Sequence, residues 1–337
     1  MAAGVAGECL LTHRILVYEA LSAAPPPGAA DPTGELRAEG RAMLIAAAAA
    51  LAEVPDVEVS VCTAAKLGPW RRLAPARFPA AAGDYADVLL IAPELGGRAA
   101  QLAAAIVAAG GALLGPGPEV VALATDKRRC GQTLGDLAPP CWPADAAIPC
   151  AGEIVVKPRA GAGSLFTVAG PAADAARLVA AVRQAGCADE LVIQPRIVGR
   201  SVSVALLGRP PRPPLALPAA RQDIAAESFD DNPKWTAFHY CGGGMPLPEP
   251  WQSRATALAL RAAECLPPWR GYLGIDMILG SDQDFVLDVN PRLTTSFLGY
   301  ARLLPGRLGR FLLGRETADD LLALTAAKHA EPISFAA

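Results

Sequence analysis

Short apolar runs of strand length occur at residues 14–19 (RILVYE), 57–62 and 86–92 (ADVLLIA), with a shorter one at 112–114. Between them, residues 35–53 and 98–109 are rich in Ala and Leu over helical lengths. The second closes on Gly110-Gly111, the residue type that ends helices in the left-handed conformation. Strands alternating with helices predict parallel pairing, so residues 1–115 read as a Rossmann-like α/β unit. Pro25-Pro26-Pro27-Gly28 opens a loop within it. No G-x-G-x-x-G follows the first strand, which argues against a dinucleotide-dependent oxidoreductase. Ligands on such sheets lie beyond the carboxyl ends of strands. Glu19 ends the first strand, Glu94 follows the third, and Glu39 with Gly40 lies near the start of a helix. Each acid is either a solvated side chain or a contact for a substrate amine.

Further on the pattern changes. Residues 116–137 read as helical after Pro118 and carry Asp126, Lys127, Arg128 and Arg129. Residues 153–168 (EIVVKPRAGAGSLFTV) read as strand, loop, strand; Lys157-Pro158 closes the first strand, and Arg159, Gly161, Gly163 and Ser164 occupy the loop. Glycines let backbone amides approach phosphate oxygens, although a P-loop proper opens a helix with G-K-[ST]. A helix over 172–185, a strand over 190–195 ending with Gln194, and an alternating strand at 201–207 follow. An adenine ring fits on the apolar crossover between those strands, its edge read by Gln194 and by backbone groups near Arg196 and Ile197; a plain crossover is the alternative. Residues 209–218 are proline-rich and predict a loop or edge strand. Residues 228–248, with Lys234, Trp235, His239 and Gly242-Gly243-Gly244, read as a mobile loop flanked by short strands, with Lys234 a candidate for a γ-phosphate. Residues 250–266 and 297–313 are helical, and beyond Gly314 the pattern gives a short helix and a loose end.

The chain is organised around residues 274–296 (GIDMILGSDQDFVLDVNPRLTTS), two apolar runs joined by a polar turn at 281–284. Side chains two apart on a strand share a face, so Asp288 and Asn290 point together, and an antiparallel partner brings Asp276 beside them. Two carboxylates and an amide oxygen are hard ligands suited to Mg2+ shared with phosphate oxygens. Arg292 follows at once, with a fork of donors for another anionic oxygen.

Composition narrows the classes. The 337 residues are 52% hydrophobic and 19% charged, so a large core is available and disorder is disfavoured. A net charge of −3 gives no electrostatic case for nucleic acid. The eight cysteines form no C-x-x-C pair and read as reduced core residues; three histidines make a His-rich zinc site improbable. No signal peptide is recognisable at the N-terminus, and the apolar stretches fall short of the roughly 20 strongly apolar residues a span needs. The expectation is a soluble cytoplasmic protein without membrane or nucleic-acid partners.

In order and spacing, Lys127, Lys157 in VVKP, the Gly161/Gly163/Ser164 loop, Gln194, Asp276, Asp288, Asn290 and Arg292 resemble the ATP-grasp superfamily. The resemblance implies a Rossmann-like (pre-ATP-grasp) domain at 1–115 followed by an ATP-grasp fold of two α+β subdomains. These are a central lid subdomain at 116–192 and a C-terminal subdomain with the metal site at 193–315, before a tail at 316–337. By the same resemblance Lys127 and Lys157 hold ATP phosphates and the glycine loop covers them. Gln194, Arg196 and Ile197 meet adenine; Asp276, Asp288 and Asn290 bind one or two Mg2+ (or Mn2+). Arg292, among the matched residues, and Lys234, which the resemblance does not include, are the candidates to serve the transferred phosphoryl group. Two positions depart from the superfamily pattern. The second metal carboxylate is usually Glu and here is Asp288, and the place of a ribose-binding glutamate is taken by Ser201. VYEALS, RAEGRAML, IAPELGG and NPRLTTSF are similar to the tyramine–glutamate ligase group of methanofuran biosynthesis, which would place Thr294, Thr295 and Ser296 by the acyl substrate. The resemblance thus implies a carboxylate–amine ligase acting through an acyl phosphate on small-molecule substrates. A ligase for another amino acid or peptide, or an ATP-binding protein without turnover, are the alternatives, and a homodimer is a candidate assembly.

Overall fold

The structure is a computed structural model that describes residues 12–23, 33–149, 151–326 and 333–336. The 25–28 loop, Cys9, Cys150 and His329 lie outside the described residues. In the N-terminal part, β1 (His13–Glu19), β2 (Val57–Cys62), β3 (Arg71–Leu73) and β4 (Asp87–Ile91) form a parallel sheet in the order β3-β2-β1-β4. Helix α1 (Ala20–Ala23) follows β1 directly, α2 (Gly34–Ala52) precedes β2, and α3 (Arg98–Ala108) follows β4. Met43, Leu44, Ala47, Ala48 and Leu51 make a buried stripe on α2 at helical spacing, packed with Ile15 and Val17 of β1. On the other face Ala99, Ala103 and Ile106 of α3 meet Leu16 and Val88. The expected fourth strand at 112–114 is a single bridge, Leu113 to Val88, because Gly115 and Pro116 turn the chain away at once.

Helices α4 (Pro118–Thr125) and α5 (Lys127–Leu134) replace the one helix expected over 116–137. The break is Asp126, whose extended backbone and side chain cap α5 by accepting from the Arg129 amide. Beyond it lies a sheet of eleven strands, β5 (Trp142–Pro143), β6 (Glu153–Pro158), β7 (Val168–Pro171), β8 (Leu191–Pro195), β9 (Arg200–Arg209), β10 (Arg212–Ala216), β11 (Ala220–Phe229), β12 (Asn232–Met245), β13 (Gly271–Leu279), β14 (Asp284–Asn290) and β15 (Ile333–Phe335). Their order is β14-β13-β9-β11-β12-β7-β6-β8-β5, with β10 on β9 and β15 on β12; the pairings are antiparallel. Helix α6 (Ala175–Gln184) covers β6 and β7, and α7 (Trp251–Glu264) covers β9 and β13. Helices α8 (Ser296–Leu303) and α9 (Leu308–Leu312) pack against α2, and α10 (Ala318–Ala326) follows.

Three further expectations are corrected. Residues 228–245 are no mobile loop: they belong to the β11–β12 hairpin, whose turn at Asp230 and Asp231 takes positive φ, and only 246–248 lie beyond it. The helix over 297–313 is two helices, broken where Pro305 removes an amide and Gly306 turns left-handed. The tail is not loose at its end, because Ile333–Phe335 pairs with Gly243–Met245. The six described cysteines are free; Cys62, Cys130 and Cys187 are core, whereas Cys241 is exposed. Among the described residues no helix is long and apolar enough to cross a membrane.

Candidate active site

The β13–β14 ladder sets Asp276 opposite Asp288 and Gly274 opposite Asn290. Asn290 donates to Asp276 at 2.8 Å, which leaves its carbonyl oxygen free of that bond. Gln222 on β11 donates to the other Asp276 oxygen at 3.0 Å. Burial and the facing Asp288 push the Asp276 carboxyl above the usual range. Among the described residues no three His, Cys, Asp or Glu side chains cluster as a metal site, so the hard donors here are two carboxylates and an amide.

Two buried lysines face this hairpin. Lys127, at the first position of α5 after the Asp126 break, donates to Asp288 at 2.5 Å and to the Gly161 carbonyl at 2.9 Å. Burial works against its charge, but Asp288 and Glu94 hold its pKa above the ordinary value. Lys157, near the end of β6, donates among the described residues only to the Leu287 carbonyl at 3.5 Å, and burial with the neighbouring Lys127 pushes it down to about 8. It is a cation short of anions. The loop after Lys157 is tied to α5 through the Lys127 amide on the Arg159 carbonyl and through the Arg159–Asp126 pair. Gly163 takes φ +64°, and a Cβ there would lie 2.3 Å from Leu36 on α2.

These groups line one cleft of about 450 Å³ that also includes Gln194, Arg196, Ile197 and Ser201. Gln194 is buried, and Gly199 lets the crossover lie against β13, since a Cβ would sit 2.4 Å from the Leu279 carbonyl. The cleft therefore has an apolar crossover at one end and opposed charges at its centre.

A model of the ATP-grasp domain matches residues 124–296, just over half of the chain. The chain belongs to the ATP-grasp domain family. Tyramine–L-glutamate ligase of Methanocaldococcus jannaschii is 28% identical to it over 111 residues, 33% of this chain and 32% of the relative. The Methanocaldococcus fervens enzyme of that name is likewise 28% identical over 111 residues, 33% of each chain. The match thus spans about a third of the length of these curated relatives. An ATP-grasp superfamily protein from Archaeoglobus fulgidus superposes with TM-score 0.68 at 20% identity, over 89% of this chain and 88% of that one. D-alanine–D-alanine ligase from Bacillus anthracis gives 0.59 at 17% identity, over 94% and 99%. These structural likenesses show the fold: a mixed α/β chain with a parallel sheet and a large antiparallel one.

Around the ATP-grasp hairpin the other acids take distinct places. Glu94 is buried and holds Arg292 through contacts of 3.0, 3.2 and 2.9 Å, so it serves the arginine. Burial opposes the Arg292 charge and Glu94 sustains it. Glu19 does not line the cleft; its carboxylate accepts from the Leu21 and Ser22 amides and fills the space beside Gly40. Glu39 does line it and accepts from Thr295 at 3.0 Å. Thr294, Thr295 and Ser296 are buried along the same wall, with Thr294 and Ser296 bonded to the Tyr272 hydroxyl. Lys234 is the misplaced expectation: it is exposed on β12 and outside the lining, because the hairpin carries it away from the hard-ligand strands. Sequence reasoning missed Gln222, Tyr240 and Phe335. The first had a signal, since Ala220, Gln222, Ile224 and Ala226 alternate along β11 and all face the cleft.

Proposed function

We propose that this chain is an ATP-dependent ligase that joins a carboxylate to an amine through an acyl phosphate. The observation that carries the reading is the convergence of Asp276, Asp288 and Asn290 with Lys127 and the under-compensated Lys157 in one cleft. Transfer of a phosphoryl group requires positioning and charge neutralisation more than covalent help. Lys157 and Lys127 offset phosphate charge from one side, and Arg292, fixed by Glu94, presents its remaining donors from the other. The crossover from Gln194 to Gly199 takes the adenine, with Ser201 near the ribose, and the Gly161–Ser164 stretch covers the phosphates and excludes water from the acyl phosphate. Asp276, Asp288 and Asn290 fit Mg2+ or Mn2+, because Asp276 stands in repulsion from Asp288 across the ladder. Bound there, the cation would neutralise phosphate oxygens.

The γ-phosphoryl group passes to a carboxylate oxygen and ADP departs; the ammonium form of the amine gives up one proton, its nitrogen then bonds to the acyl carbon, phosphate leaves with the C–O electron pair, and a second proton is lost from nitrogen. Glutamate as the acid and a tyramine-like amine are the substrates we favour, supported by the similarity to the tyramine–L-glutamate ligases of Methanocaldococcus. The test is ADP release with glutamate and a panel of amino acids, tyrosine and tyramine, with product masses read directly. ADP release that needs both an acid and an amine supports the reading. Release that is indifferent to either, or no nucleotide binding at all, overturns it.

A further inference from the structure

The substrates other than ATP must occupy the end of the cleft away from the crossover. Its walls come from separate parts of the chain: Glu39 from α2, Thr295 after β14, Tyr240 on β12 and Phe335 on β15. Glu39 and Phe335 fall outside the residues 124–296 that match the family domain.

Glu39 is partly buried, faces the cleft and has Thr295 as its hydrogen-bond donor. Among the described residues it makes no ion pair, and the nearby Arg292 is already engaged by Glu94. Burial raises the Glu39 pKa, with Thr295 and Arg292 opposing. A carboxylate in that position is stabilised by an incoming ammonium group, which restores both charge balance and hydrogen bonding.

Phe335 reaches the cleft because room has been left for it. A Cβ on Gly242 would lie 2.4 Å from the Phe335 carbonyl oxygen, one on Gly243 2.9 Å from the ring Cζ, and one on Gly299 2.7 Å from Cδ1. Glycines on β12 and α8 thus form a berth for β15, which gives the Gly242-Gly243-Gly244 run a structural purpose. Phe335 is 4% exposed, so it is a fixed wall and not a free side chain.

We propose that Glu39 and Phe335 form the acceptor site: Glu39, steadied by Thr295, takes the ammonium group of a primary amine, and Phe335 with Tyr240 walls its aryl or alkyl body. The inference rests on the ligase reading and names the class of its second substrate. Both elements lie beside the family domain and not in it, so amine specificity would be set by parts that can vary while the ATP machinery stays constant.

The test uses the full chain with a non-hydrolysable ATP analogue and Mg2+. Saturation-transfer NMR compares tyramine with tyrosol, which lacks the amine, and with butylamine, which lacks the ring; steady-state ADP release with glutamate runs in parallel. Glu39→Gln is expected to raise the KM for tyramine about tenfold or more, the scale of losing a charged partner, and to erase the NMR preference for tyramine over tyrosol. Phe335→Leu, which keeps the berth filled, is expected to raise the tyramine KM and leave that of butylamine within about twofold, because only ring contact is removed. The KM for ATP should stay near wild type in both. Wild-type tyramine KM values in both variants, or KM values for ATP and tyramine that rise together, would overturn the assignment. So would a wild-type protein that binds neither amine. If the amines bind but no carboxylate elicits ADP release, the ligase reading fails separately, and the NMR comparison still decides the site.

Discussion

Replacing Glu94 by Gln should destabilise the protein far more than an ordinary polar substitution. Glu94 and Arg292 are 198 positions apart, and their side chains are 3% and 12% exposed. At about 3 Å and an effective dielectric constant near 20, their Coulomb attraction is about 5 kcal/mol, most of it offset by the cost of removing both charges from water. Glu94→Gln keeps the shape and removes only the negative charge, leaving Arg292 buried against a neutral amide. The expected loss is about 3–5 kcal/mol, the range for breaking one side of a buried pair. That is a large share of the roughly 5–15 kcal/mol that holds a typical domain together. Urea unfolding followed by far-ultraviolet circular dichroism reads it as a lowered midpoint. The double variant Glu94→Leu with Arg292→Met removes both charges and should cost less than Glu94→Gln alone. A single-variant loss below about 1 kcal/mol, the level of an exposed ion pair, would refute the buried-pair argument. So would a double variant as damaged as the two singles added together.

Lys157, pushed down to about 8 by burial and Lys127, is charged below that pH and neutral above it. Its folded pKa lies beneath the ordinary 10.5, so the unfolded chain holds more protons between the two values and this lysine's contribution makes stability rise with pH across that window. Nucleotide affinity should run the opposite way, weakening about tenfold per pH unit above 8, and calorimetry should detect proton uptake on binding; a flat profile and no uptake would count against a phosphate contact. Asp288→Asn should abolish ATP-dependent ligation and leave the circular dichroism spectrum unchanged, since its Lys127 partner keeps the Gly161 carbonyl; an active variant would remove the metal assignment. Gly163→Ala should raise the KM for ATP through the φ +64° backbone, a strain of about 1–2 kcal/mol, and through the clash with Leu36. Adding Leu36→Ala should recover only the second part, and full recovery would show that the backbone conformation is not restrictive.

Much of this was readable from local pattern. The β13–β14 hairpin shows itself by two apolar runs around a polar turn, and the period of two by itself puts Asp288 and Asn290 on one face. Strands β1, β2 and β4 and helices α2 and α3 show themselves in the same way, whereas the three-residue β3 and the single bridge at Leu113 do not. What failed depends on partners distant in the chain. Gly242-Gly243-Gly244 reads as a loop because glycine is poor in strands, yet here the glycines make space for Phe335. Residues 116–137 look like one helix because nothing local announces that Asp126 will stop α4 and cap α5. Glu39, near a helix start, and Glu94, after a strand, carry the same pair of readings as solvated acids or amine contacts, and only folding sends one to Thr295 and the other to Arg292. Lys234 fails for the same reason in reverse: its charge suits a γ-phosphate, but the hairpin carries it to solvent.

The central claim is that a carboxylate is phosphorylated within this cleft before the amine attacks. Glutamate labelled with 18O in its carboxylates, incubated with the full chain, ATP, Mg2+ and tyramine, tests it directly through the mass of the inorganic phosphate released. One labelled oxygen in each phosphate, with ADP as the nucleotide product, is the predicted result. Unlabelled phosphate, or AMP with pyrophosphate, would contradict it.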